Sequence, residues 1–159
     1  LGRRTEYRYN ERGLLVETIH PDATPSNLSD NPRTKNEYDA LDRLLVTTDE
    51  LGRKTRYVYD ALGRRIEIIY ADATPADLSD NPRMKTEYDR AGRVIAEIDE
   101  LGNRTQLAYD QVGRLISRTN ALSETTTYSY DADGRQISMK DALGRITNYG
   151  YDALDRLVN

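Results

Sequence analysis

Gly52-Arg53-Lys54-Thr55-Arg56-Tyr57-Val58-Tyr59-Asp60-Ala61-Leu62-Gly63-Arg64-Arg65-Ile66-Glu67-Ile68-Ile69 decides the fold. Thr55, Tyr57 and Tyr59 alternate with Arg56 and Val58, the two-residue period of a strand built from β-favouring side chains. Asp60-Ala61-Leu62-Gly63 breaks that pattern. Asp suits the first position of a type I turn, and Gly accepts the positive φ that ends it. Arg64 to Ile69 is a second β-prone run, so the stretch is one hairpin. Asp49-Glu50-Leu51-Gly52 before it is a turn of similar type, as is Asp141-Ala142-Leu143-Gly144 further on. These join each hairpin to the next. Helix is disfavoured, because a turn cluster interrupts the chain every ten residues or so.

Working outward, the same unit fills the chain. Tyr followed by Asp or Asn recurs at Tyr9-Asn10, Tyr38-Asp39, Tyr59-Asp60, Tyr88-Asp89, Tyr109-Asp110, Tyr130-Asp131 and Tyr151-Asp152, with spacings of 29, 21, 29, 21, 21 and 21. The period is therefore 21 residues, about seven hairpin units over residues 1–159, and two units carry eight extra residues. Those extras lie near residues 21–33 and 71–83 and are related to each other. Residues 1–50 and 51–100 share 26 identities in 50 positions, so a longer duplication overlies the short repeat. Thr24-Pro25 and Thr74-Pro75 read as a capping Thr before a first helical Pro, which makes a short helical turn one reading of the insertions. Leu28 and Leu78 would then tuck beneath it; a simple surface insertion is the other reading.

An odd period constrains the register, because a one-residue slip turns side chains to the other face. Holding the seven Tyr on one face calls for one even and one odd loop. The expectation is an even loop after each Tyr, with Tyr59 opposite Arg64 and Tyr57 opposite Ile66. Val16, Leu45, Ile66, Ile95, Ile116, Ile137 and Val158 are then the apolar cross-strand partners. The repeat motif comprises Tyr9, Tyr38, Tyr59, Tyr88, Tyr109, Tyr130 and Tyr151, with Asp39, Asp60, Asp89, Asp110, Asp131 and Asp152 after them. Gly13, Gly63, Gly92, Gly113 and Gly134 complete it at the turns.

Composition agrees with an open array. The chain of 159 residues has 12 Tyr but no Phe, Trp or Cys, and Leu, Ile and Val together make 32 residues, a fifth of the whole. That is too few large apolar side chains for a globular core. A wall one sheet thick needs fewer, since cross-strand Tyr, Thr and Ile pairs contribute roughly 0.2–1 kcal/mol each and neighbouring repeats support one another. The fold class is thus all-β: a repeat array of antiparallel hairpins in a curved, largely single-layer sheet. A net charge of −4 has the wrong sign for a nucleic-acid binder, and no apolar run is long enough to span a bilayer.

Gly52 to Arg64 and Gly144-Arg145-Ile146-Thr147-Asn148-Tyr149-Gly150-Tyr151-Asp152-Ala153-Leu154-Asp155-Arg156 closely resemble the YD repeat of the Rhs family. Its members include bacterial Rhs polymorphic toxins, shell components of insecticidal toxin complexes, and animal teneurins. The resemblance implies a sheet that spirals into a hollow shell, around a C-terminal toxin or effector polypeptide in the bacterial members. It implies a secreted or cell-surface location, flanking repeats of the same long chain as partners, and glycans as a second ligand class. Asn10 replaces Asp once, Asp42 and Asp155 replace the turn Gly, and Asn36, Thr86 and Leu107 replace the first Tyr of the pair. Because the chain starts and stops inside repeats, it reads as a segment of a longer protein.

No catalytic, cofactor or metal residues are assigned. His20, the sole His, reads as a loop residue packed on the sheet rather than a base. Without Cys, a nitrogen–sulfur metal site is excluded within one chain. D-x-x-G reads as a turn rather than a calcium loop, which needs more carboxylates. The favoured function is a structural segment of a shell that encapsulates or displays a toxin. The alternative is a glycan- or cell-surface-binding adhesion module, and open end strands add an expectation of edge-to-edge self-association.

Overall fold

In the computed structural model of the protein, residues 4–21, 30–72 and 80–158 are described. The chain divides into two compact units, Leu1–Met84 and Lys85–Asn159. The first holds β1 (Glu6–Tyr9), β2 (Leu15–Ile19), β3 (Arg33–Tyr38), β4 (Leu44–Thr48), β5 (Lys54–Tyr59) and β6 (Arg65–Ile69). Strand β7 (Arg83–Tyr88) carries the division. The second unit continues with β8 (Val94–Ile98), β9 (Arg104–Tyr109), β10 (Leu115–Thr119), β11 (Thr125–Tyr130), β12 (Gln136–Lys140) and β13 (Ile146–Asn148). Within each unit every strand pairs antiparallel with its chain neighbour. No described residue is helical.

The two kinds of turn are the same turn. Asp60 N–H donates to Arg64 O at 2.9 Å and Gly63 N–H to Asp60 O at 3.0 Å; Asp49 with Arg53 and Gly52 with Asp49 repeat the pattern at 2.9 and 3.0 Å. Each is a three-residue loop ending in a left-handed residue. The expected even loop does not exist. Instead Tyr59 lies opposite Arg65 and Tyr57 opposite Ile68, with a register shift between Val58 and Tyr59.

That shift corrects the parity. Two odd loops alone would turn each successive Tyr to the opposite face, and one extra residue in every hairpin turns it back. Val16, Leu45, Ile66, Ile95, Ile116 and Ile137, expected as cross-strand partners, are the extra residues themselves, skipped between the paired residues on either side. Val158 instead follows the isolated bridge of Tyr151 with Leu157, and its amide bonds Gly150 O at 2.8 Å. In the first unit, Asn36 opposite Thr47 and Thr47 opposite Thr55 place Tyr38, Tyr57 and Tyr59 on one face.

The first insertion does not interrupt the sheet. Ile19 pairs with Arg33, His20 N–H donates to Pro32 O at 2.9 Å, and Asn31 Nδ2 closes the base on His20 O at 2.7 Å. Thr24-Pro25, Thr74-Pro75, Leu28 and Leu78, read as a helical turn and its underside, lie outside the described residues.

Among the described residues the buried hydrophobic side chains are Ile19, Val46 and Ala96. Ala96 is wholly covered. Glu87 on β7 and Arg104 on β9 join across β8 in a bidentate pair of 2.6 and 2.7 Å, passing between Ala96 and Ile98 in register. A larger side chain has to displace that pair. Ala96→Leu should cost about 1–3 kcal/mol in urea unfolding, as overpacking does.

Ser123 holds the turn's left-handed position at φ 64°, where its neighbours use Gly. A Cβ there costs roughly 1–2 kcal/mol, partly returned through a less flexible unfolded chain. Ser123→Gly should therefore stabilise the protein by about 0.5–1 kcal/mol, read as a raised melting temperature.

Candidate functional site

The motif residues meet at the joint between one hairpin and the next. Asp110 builds its own turn first: Oδ1 accepts Val112 N–H at 3.0 Å and Arg114 N–H at 2.9 Å, and Oδ2 accepts Arg114 Nε at 2.7 Å. With its carboxylate so held, the Arg114 guanidinium lies over the ring of Tyr130, 4.9 Å from its centre, and Nη1 donates to Asp131 O at 3.2 Å. Tyr130 returns the contact. Its hydroxyl donates to Leu115 O at 2.8 Å, the carbonyl opening the bulge of the preceding hairpin.

The joint recurs. Tyr38, Tyr59, Tyr109 and Tyr151 donate to Leu15 O, Leu44 O, Val94 O and Gln136 O at 2.8–2.9 Å. Arg43, Arg93 and Arg135 lie over Tyr59, Tyr109 and Tyr151 at 4.8, 4.9 and 5.3 Å. Asp39, Asp60, Asp89, Asp131 and Asp152 each take the Nε of their turn Arg at 2.7 Å. Gly13, Gly63, Gly92, Gly113 and Gly134 close the turns at φ 78° to 92°. Tyr88 ends β7 opposite Val94, and Tyr9 ends β1 opposite Leu15 with its side chain largely in solvent.

The departures keep the chemistry by other means. Asn10 and Asn120 offer Oδ1 to the same two backbone amides at 3.0 Å. At the second of these the polarity is reversed, with Asn120 Nδ2 donating to Glu124 Oε2 at 2.7 Å. Where Leu14 replaces the turn Arg, Arg12 reaches across instead, donating to Asp39 O and Ala40 O at 3.0 and 3.2 Å and pairing with Asp42 at 2.5 Å. Asp155, the other Asp in a left-handed position, pairs with Arg135.

Electrostatics follow from this geometry. The backbone N–H of Arg114 is the strongest influence on Asp110 and lowers its carboxyl below the ordinary value; the Arg114 guanidinium adds to it. Asp39, Asp89 and Asp152 are lowered in the same way, by Arg43, Arg93 and Arg156. At Asp60 and Asp131, desolvation is the largest single influence and acts upward, yet the hydrogen bonds together still lower the carboxyl.

His20 lies at the base of the first insertion, its Nε2 3.5 Å from Glu50 Oε1. Among the described residues no group of three or more His, Asp or Glu is placed to hold a metal ion, and no described helix is long and apolar enough to cross a membrane. The ion pair of Asp60 with the turn residue Arg64 is readable from the sequence; the stacking of the turn Arg over the next Tyr and the bulge carbonyl are not. The absence of Phe beside 12 Tyr was the available signal for a required hydroxyl.

Fold and joint together define an array of β-hairpin repeats clasped through Tyr, Asp and Arg. The sequence profile of the RHS Repeat family matches residues 38–75, 88–125, 109–146 and 130–159, more than half the chain. The chain belongs to that family. No curated protein sequence matches it significantly. Among solved structures it is similar to TcdB2-TccC3-Cdc42, with TM-score 0.75, 19% identity, and coverage of 97% of this chain and 9% of that one. It is also similar to the Photorhabdus luminescens Tc holotoxin pore carrying a mutated TccC3, with TM-score 0.69, 20% identity, and coverage of 92% and 8%. TcdB2-TccC3 without its hypervariable C-terminal region gives TM-score 0.74, 19% identity, and coverage of 97% and 9%. The chain thus spans under a tenth of those proteins.

Proposed function

We propose that the chain is a non-catalytic length of shell wall in a secreted toxin-associated protein, flanked by further repeats and enclosing or displaying an effector polypeptide. The joint carries this reading. In most of the repeats the Tyr, Asp and Arg are engaged with their own turn and the neighbouring hairpin, which is the work of a continuous wall. Similarity in fold to segments of TcdB2-TccC3 supports it.

Protease protection tests it in the complete polypeptide. The segment downstream of the repeats should survive protease levels that digest it when expressed alone. Replacing Tyr109 and Tyr130 together by Ala should open the wall and expose it. A downstream segment cut equally fast in the wild-type protein and alone would sink the proposal.

A further inference from the structure

In the second unit the β8–β9, β10–β11 and β12–β13 turns lie on one rim of the sheet, because alternate turns of a meander share an edge. Each carries Leu at its tip: Leu101, Leu122 and Leu143, between 77% and 87% exposed. These hairpins repeat every two strands, so the three side chains form a row at a pitch of about 10 Å. The turn does not need them. Arg12, Ala91, Val112 and Asp133 hold the same position in turns with the same backbone bonds. The opposite rim of this unit has no such row, since Ala91 and Asp133 alternate with Val112 and Leu154.

The row is also polar along its length. At one end, the turn Asp99-Glu100-Leu101-Gly102-Asn103 contains no cation. Asp99 meets the neutral Asn103 Nδ2 at 2.9 Å where other turns have Arg, and the next residue, Arg104, is taken by Glu87. At the other end, Arg145 and Asp141 neutralise each other at 2.6 Å. Exposed Lys140 lies beside that turn, its Cε 3.9 Å from where a Cβ on Gly144 would stand. The Leu101 end thus carries two negative charges and the Leu143 end one positive charge. Glu124, bonded to Asn120 Nδ2, lies at the centre and favours neither end.

We propose that this rim is an interface for a second copy of the same chain, joined antiparallel about a two-fold axis through Leu122. An evenly pitched row is its own complement when reversed. Reversal sets the acidic Leu101 end of each copy against the basic Leu143 end of the other, whereas a parallel alignment sets like charges together. Leu122 meets its own equivalent. Three Leu on each side fall short of the roughly 1,200 Å² that stable interfaces bury, so the isolated chain dimerises weakly. The contact runs through turn tips, unlike end-strand pairing, which uses open backbone groups.

Sedimentation equilibrium on the intact chain at low salt, from about 10 μM to about 1 mM, reads the association. A concentration-dependent dimer should appear. Leu122→Ser removes two Leu from each dimer and should weaken it at least about tenfold. Val112→Ser on the opposite rim should leave it unchanged. Lys140→Glu sets acid against acid and should weaken the dimer. Glu100→Lys should weaken the natural chain's dimer yet strengthen that of the Lys140→Glu variant, a reversal of sign that net charge alone cannot produce. A monomer at the highest concentration overturns the proposal. So does a dimer that Leu122→Ser leaves untouched, as end-strand pairing predicts, or a Glu100→Lys effect of the same sign in both backgrounds. The charge series tests the alignment without Leu122, so it decides the matter even if Leu122→Ser misfolds.

Discussion

Replacing Tyr130 by Ala should destabilise the second unit by about 3 kcal/mol, and replacing it by Phe by about 1 kcal/mol. Three contributions separate in this series. The ring is half-buried, and its loss to Ala leaves a gap beneath Arg114. The stacked guanidinium adds about 0.5–2 kcal/mol, depending on its desolvation. The hydroxyl bond to Leu115 O is removed by Phe alone, which keeps ring and stack while leaving a bulge carbonyl unmet. For a chain of this length, 3 kcal/mol corresponds to roughly 6–12 °C in melting temperature. A double-mutant cycle with Arg114→Met isolates the stack, and a coupling near zero would show that the ring and the cation act independently. If Tyr130→Phe proves silent, the hydroxyl is not what holds the joint.

Acid should unfold the array steeply. In Asp39, Asp89, Asp110 and Asp152 the folded carboxyl lies below its ordinary 3.8, so folding is favoured while it stays ionised. The unfolded chain takes up protons first, and stability rises with pH wherever that holds. The contribution is complete above the unfolded value, begins to fall as pH drops through 3.8, and is gone below the folded value. The repeated turns titrate in one window, so their losses coincide. Circular dichroism from pH 6 to pH 2 should show this cooperative loss. High salt should soften only the Arg-dependent part, because backbone amide bonds to Oδ1 are local. Asp110→Asn keeps the Oδ1 acceptor, as Asn10 and Asn120 do, and should lower stability at neutral pH while flattening the acid limb. An unchanged acid limb would mean that this carboxylate is not among those titrating.

How much of this was legible depends on what the letters encode. Thr55, Tyr57 and Tyr59 announce a strand, and Asp60 with Gly63 announces the turn, because those preferences are local. The register at Ile66 is not legible in the same way, because loop length alone does not repair the parity of a 21-residue period. Asp49 to Arg53 and Asp60 to Arg64 share one signature, D-x-L-G-R, and equal signatures fold into equal turns. The correction therefore had to lie inside a strand, at a residue no turn motif marks. The joint stayed hidden for a related reason. The acceptor for Tyr59 is the main-chain carbonyl of Leu44, 15 residues back, and a carbonyl has no letter.

The bond from Tyr38 to Leu15 spans 23 residues where its equivalents span 15, yet it has the same 2.9 Å length as that from Tyr59 to Leu44. The clasp is therefore indifferent to what the chain does between the two strands it joins. The connection from one hairpin to the next should therefore accept a longer loop at little thermodynamic cost, since the closure entropy of a loop grows only logarithmically with its length. An inserted epitope or binding peptide should leave the Tyr-to-carbonyl bonds between hairpins intact, so that surface properties can diversify independently of the sheet.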